Sequence, residues 1–189
     1  MRKIVFLFAA ILLVLLAVTR TATATPPETA IPYEGYFVTC DVVDEGKIWQ
    51  NGDRYFVRNE RFVGESLAWE AGNPGAPIAM LTGTSEVRLH TDVNFATGEA
   101  TVRAFYTLTP LDPSINGVWN GRATGIFTNV ATSEGEFWYW AHANGDLAGY
   151  RFEAASTSVP PPAGMTFCGG NQPESVRSVA GTIYYPPGE

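Results

Sequence analysis

From Glu86 to Leu108 the side chains alternate with period two, and this constrains the fold more than anything else in the chain. Val87, Leu89, Thr91, Val93 and Phe95 fall on one face of an extended segment, and Glu86, Arg88, His90, Asp92 and Asn94 on the other. That pattern fits a strand with one buried face and does not fit a helix. A tight turn at Thr97-Gly98 predicts Phe95 opposite Ala100, Val93 opposite Val102, Leu89 opposite Tyr106 and, on the polar face, Asp92 opposite Arg103. Apolar then meets apolar and acid meets base in one register.

Asn-Gly pairs favour hairpin turns because both residues tolerate positive φ. Asn51-Gly52 is expected to join strands 47–50 and 54–58. Asn144-Gly145 is expected to join 137–143 to 146–153, with Phe137 meeting Phe152, Tyr139 meeting Tyr150 and Ala141 meeting Ala148. Further strands read at 35–43, 61–69, 78–84, 118–129 and 178–185, while 65–71 has room for a helical turn or two. About eight to ten strands with regular turn signals predict an all-β chain. The expected fold is an antiparallel up-and-down barrel of about eight strands, with a β-sandwich as the alternative. The longest irregular stretch, Ala154 to Arg177, reads as an ordered cover.

The N-terminus carries an export pattern. Arg2 and Lys3 precede an unbroken apolar run of 15 residues, Ile4 to Val18, and Ala22-Thr23-Ala24 fits a small-x-small cleavage site. The run is shorter than the ~20 residues of a spanning helix. Residues 1–24 are therefore read as a signal peptide, 25–34 as an extended leader and 35–189 as a single β-barrel domain, secreted or periplasmic. An uncleaved membrane anchor is the alternative.

Cleavage after Ala24 removes Arg2, Lys3 and Arg20, leaving nine basic against nineteen acidic side chains and taking the formal charge from −7 to −10. Nucleic acid and anionic membrane surfaces want clustered cations, so neither is an expected partner. Cys40 and Cys168 are the only cysteines. In an exported protein they predict one disulfide. With only His90 and His142 besides, no metal and no cofactor are expected.

Candidate site residues concentrate between 117 and 151. Trp119, Gly121, Ala123, Gly125 and Phe127 share one face of a strand, and glycines inside strands need a reason. If Gly125 stands opposite Trp138, then Ala123 faces Trp140 and Gly121 faces His142. Aromatic rings over strand glycines are first of all a structural device of coiled barrels. The functional reading is a pocket walled by Trp119, Trp138 and Trp140, with Arg122, His142 and Arg151 at its mouth. Arg151 beside Trp138 also suits a cation–π pair. No nucleophile elbow, zinc-protease helix motif, phosphate loop or dinucleotide fingerprint is present, so no catalytic residue is assigned.

The stretches GVWNGRATGIF (117–127) and GEFWYWAHANGDLAG (135–149) resemble the glycine-punctuated later strands of allene oxide cyclase-like barrels. The wider calycin group, lipocalins included, is similar in architecture. The resemblance covers about the last third of the chain and implies a small antiparallel barrel with an apolar cavity. Gly35-Tyr36-Phe37 stands where a lipocalin has Gly-x-Trp, which departs from that family.

Three functional readings follow, in this order. The first is a barrel that binds a small apolar or aromatic ligand. The second is a non-catalytic structural or interaction module of the cell envelope. The third is an enzyme of the cyclase or isomerase kind, which rests on the resemblance alone.

Overall fold

Strand β1 (Ala30–Asp44) has antiparallel partners on both sides, and this closes the sheet. On one side it pairs with β9 (Ser175–Tyr184), and on the other with β3 (Arg54–Glu70). Between them β4 (Gly83–Asn94), β5 (Glu99–Pro110), β6 (Trp119–Asn129), β7 (Glu134–Ala143) and β8 (Arg151–Ser158) pair in sequence order. The result is a closed eight-stranded antiparallel barrel, as the alternation predicts. A ninth strand, β2 (Lys47–Asn51), pairs with β3 alone and extends the sheet past the lower rim. The structure is a computed structural model and describes residues 29–131 and 134–186. The expected signal peptide lies outside them.

The faces of β4 and β5 are as the sequence predicts, but the register differs by two. Val93 meets Ala100, Leu89 meets Ala104 and Val87 meets Tyr106. The loop has four residues, Phe95 to Gly98, because Asn94 organises it. Its carbonyl accepts the Gly98 N–H at 2.8 Å, and its Oδ1 accepts the Ala96 N–H at 3.1 Å. An even shift leaves the strand side chains on their own faces, but Phe95, expected inside opposite Ala100, falls in the turn and is 56% exposed. Asp92 consequently pairs with Arg58 on β3 rather than with Arg103.

The β7–β8 hairpin is also looser than its Asn-Gly pair suggests. Asn144 turns toward β6, its N–H donating to Val118 O at 3.0 Å, and a 3-10 turn over Gly145–Leu147 buries Leu147. Pairing resumes at His142–Arg151, which sets Phe137 opposite Ser156 and Ala141 opposite Phe152. Other boundaries move as well. The expected strands 54–58 and 61–69 are one strand, bent at a bulge where Asn59 has φ 61°. Residues 65–71 are not helical. The expected strand at 78–84 is a 3-10 turn (Ala79–Leu81) followed by β4. β1 already begins at Ala30, so the end of the presumed leader forms barrel wall.

The irregular segment is shorter than expected, 159–174, because β8 runs to Ser158 and β9 starts at Ser175. It is an ordered cover, but it lies on the outer wall. Phe167 is buried against Val38 and Val176, Cys168 is bonded to Cys40, and the Cys168 N–H donates to Glu65 Oε2 at 3.0 Å.

Inside, rings run from top to bottom. Trp119 contacts Phe152 at 5.1 Å between centroids, Phe152 contacts Tyr106 at 6.4 Å, Tyr106 contacts Tyr139 at 6.0 Å, and Phe137 links Tyr139 to Phe127 at 6.3 and 5.4 Å. Trp119 is fully buried, and its Nε1–H donates to Met80 O at 2.7 Å, fastening the 3-10 turn across the upper end.

Candidate functional site

The β6–β7 register decides where the candidate residues go. Gly125 faces Phe137, Ala123 faces Tyr139 and Gly121 faces Ala141. This is one residue away from the pairing considered above, and an odd shift exchanges faces. Phe137 and Tyr139 therefore point inward, while Trp138 and Trp140 point outward, each 38% exposed. The rings over the strand glycines are Phe137 at Gly125 and Tyr106 at Gly121, where an added Cβ would come within 2.7 and 2.2 Å of ring atoms.

The six candidates thus separate. Trp119 belongs to the interior. Arg122 lies directly across from Trp140, His142 across from Arg151 and Thr124 across from Trp138, all on the outer wall. Arg151 stacks on Tyr184, 4.2 Å from its centroid, and does not pair with Trp138.

The interior is unevenly filled. The upper hollow, between Tyr33, Leu81, Tyr106 and Phe152, measures only about 40 Å³. The lower one, among Phe37, Phe62, Leu89, Phe127, Phe137 and Arg177, measures about 160 Å³. Phe37, Phe62, Leu89 and Phe127 point inward yet are only half-buried, because the lower barrel is not packed solid.

Among the described residues Arg177 is the one cation aimed into this interior, and it is 6% exposed. Its Nε donates to Ser156 Oγ at 2.9 Å, one terminal nitrogen to Ser158 Oγ at 2.8 Å and the other to Gly135 O at 2.7 Å. Its guanidinium lies 4.1 Å from the Phe137 centroid. Ser156 Oγ also shares a hydrogen bond of 3.1 Å with the Tyr139 hydroxyl. All these partners are neutral. Among the described residues no carboxylate lies within ion-pair distance of Arg177. Burial pushes its pKa down, with Tyr139 opposing, and burial likewise raises the Tyr33, Tyr106 and Tyr139 hydroxyls. Removing a charge from water costs several kcal/mol, normally offset by an opposite charge.

Arg177 is absent from the candidates because the strand expected there starts at 178. The signal was available: 177, 179, 181 and 183 alternate with the outward positions, and Val179 and Ile183 mark that face as inner.

The outer wall of β2–β7 carries the remaining chemistry. Across the strands, Arg61 is paired in register with Arg88, Arg88 with Phe105, Phe105 with Arg122, and Arg122 with Trp140. The next outward row runs Lys47, Arg58, His90, Arg103, Thr124, Trp138. Arg88 lies over Phe105 at 5.4 Å, and Arg58 over the stacked Trp49 and Phe56 at 5.4 and 5.5 Å. His90 is held below its ordinary pKa by partial burial first, then by Arg58, Arg88 and Arg103, with Asp92 opposing.

Among the described residues no helix is long and apolar enough to cross a membrane. The barrel wall also reverses the pattern of membrane barrels, which carry an apolar band outside and a polar interior. Cys40, Cys168 and Glu65 cluster closely enough to suggest metal ligands, but the disulfide occupies both sulfurs. Comparison with protein-family models, curated proteins and solved structures finds no match to this chain.

Proposed function

We propose that the chain is an exported carrier or sensor that holds one small molecule in the lower half of its barrel, with an apolar body and an anionic end. The observation that supports this is the position of Arg177, a buried cation with no carboxylate in ion-pair distance among the described residues, on the wall of a mostly apolar hollow. A ligand carboxylate entering there exchanges its water for a guanidinium, the kind of pairing arginine makes best. Size narrows the class. A cavity of about 150 Å³ accommodates a benzene-sized molecule, so the hollow suits a single aromatic ring or a short alkyl chain, well short of a long lipid. The apolar first reading of the sequence is thereby refined to an amphipathic ligand. The disulfide fits an oxidising compartment outside the cytoplasm.

The test is thermal unfolding and calorimetry with benzoate, phenylacetate and hexanoate against the matching alcohols. The acids are expected to raise the melting temperature, since a ligand at a hundred times its Kd adds about 2.7 kcal/mol. Arg177→Met should abolish the difference between acids and alcohols. Equal, null effects of both series at millimolar concentration would sink the proposal. They would favour instead the structural or interaction module, which the solidly packed upper half also suits.

A further inference from the structure

We propose that the outer wall of β2–β6 is a docking surface for an acidic polysaccharide, a chain of uronic-acid type, independent of the barrel interior. Charge segregation carries the inference. Six of the nine Lys and Arg that follow residue 24 stand in two adjacent outward rows: Arg61, Arg88 and Arg122 in one, Lys47, Arg58 and Arg103 in the other. Along the first row acids stand at the two ends, Asp44 beside Arg61 and Glu153 beside Trp140, and the second row carries none from Lys47 through Trp138. The two rows lie next to each other on a protein whose other residues in that range are strongly acidic.

Asp44 offsets Arg61 and Asp92 offsets Arg58, but cations still face cations across the strands. Arg61 and Arg88 are directly opposite, and His90 stands between Arg58 and Arg103. Like charges facing each other across strands destabilise a sheet. After partial burial, which is the larger cause, Arg58, Arg88 and Arg103 add to the lowering of the His90 pKa, with Asp92 opposing. An anion laid across the rows removes the repulsion.

The spacing fits a repeating ligand. Neighbouring strands are roughly 4.8 Å apart, so Arg88 and Arg122, two strands apart, lie at a step of roughly 10 Å, as do Arg58 and Arg103 in the next row. Between and beside them are exposed rings, Phe105 at 48%, and Trp138 and Trp140 at the β7 end. Flat rings offer stacking faces for the apolar sides of sugar rings, and guanidinium groups take carboxylates in bidentate fashion. Glu86, Asp92 and Glu136 border the rows. Together with the overall negative charge they disfavour densely charged nucleic acid and anionic bilayers.

The experiment is affinity electrophoresis and calorimetry of the purified protein with polygalacturonate. Neutral dextran, oligodeoxythymidylate and phosphatidylglycerol vesicles serve as comparisons. Polygalacturonate should bind at low ionic strength and lose roughly tenfold in affinity on going to several hundred millimolar salt. Binding should fall at least roughly tenfold again in the triple variant Arg88→Gln/Arg103→Gln/Arg122→Gln. Trp140→Ala should weaken binding with its salt dependence unchanged, which separates stacking from charge. These positions are outward, and circular dichroism of each variant verifies the fold. Absence of binding to polygalacturonate overturns the proposal, as does unchanged binding by a folded triple variant. Equal or tighter binding of oligodeoxythymidylate or of the vesicles overturns the choice of a glycan.

Discussion

Phe137 lies flat over Gly125 on the neighbouring strand, so close that a Cβ on Gly125 would stand 2.7 to 2.8 Å from three ring carbons. The glycine provides the space into which the ring packs, and the Arg177 guanidinium lies over the same ring, 4.1 Å from its centroid. Gly125→Ala therefore overpacks the lower barrel and is expected to cost about 1–3 kcal/mol in urea unfolding. Adding Phe137→Leu should recover part of that loss, because the two residues are in contact and their effects are not additive. Strictly additive losses would show that the ring is not what excludes the Cβ.

This pair also shows what was legible in the sequence. That rings cover glycines in these strands follows from composition and alternation, and the all-β barrel and the Cys40–Cys168 bond follow from similarly local signals. Which rings do so depends on whether Gly125 meets Phe137 or Trp138. Both faces of β7 carry aromatics, so hydrophobic pattern does not choose between the two registers. The choice is made by closure of the whole sheet, with β5 pinning β6 on its other edge. Arg177 was hidden for a different reason. The strand expected there starts at 178, one residue too late to put 177 on the inner face with Val179 and Ile183, and the partners Ser156, Ser158 and Gly135 are brought from β7 and β8.

The tryptophans give a direct test of inside against outside. Trp119→Ala empties the upper core and orphans the Met80 carbonyl, and should cost about 3–5 kcal/mol. Trp138→Ala and Trp140→Ala remove half-exposed surface rings and should change stability by about 0.5 kcal/mol or less. Denaturant midpoints at constant slope decide it, and a large loss at Trp140 would place that ring in the core.

The disulfide spans a sequence separation of 128 residues and ties the 159–174 segment to the wall at β1. By loop-closure entropy its removal costs up to about 4–5 kcal/mol. Cys40→Ser/Cys168→Ser should still form the barrel, since β1 keeps both neighbours. It should also become sensitive to limited proteolysis within 159–174, where Phe167 loses its anchor. Cleavage elsewhere first would show that the bond secures the barrel itself.

His90 gives the outer wall a pH signature of definite sign. Its folded-state pKa lies below the ordinary 6.5, through partial burial and then Arg58, Arg88 and Arg103. Below about 6.5 the unfolded chain takes up a proton at this site before the folded one does, so His90 subtracts from stability as pH falls through that window and contributes nothing above it. Glu60, raised above 4.5 by burial and Glu45, acts in the opposite sense at lower pH by favouring the folded state as it protonates. Global unfolding therefore mixes the two, and the clean measurement is an NMR titration of the His90 ring. Its midpoint should lie below 6.5, and should rise with added salt and in Arg103→Gln, because screening or deleting a neighbouring cation relieves the imidazolium. Bound polygalacturonate should raise it further by neutralising Arg88 and Arg103, Arg58 already having Asp92 as its partner. A midpoint at or above 6.5 in the free protein would show that the arginines around His90 are already neutralised by solvent and counterions, and would remove the field on which the docking surface depends.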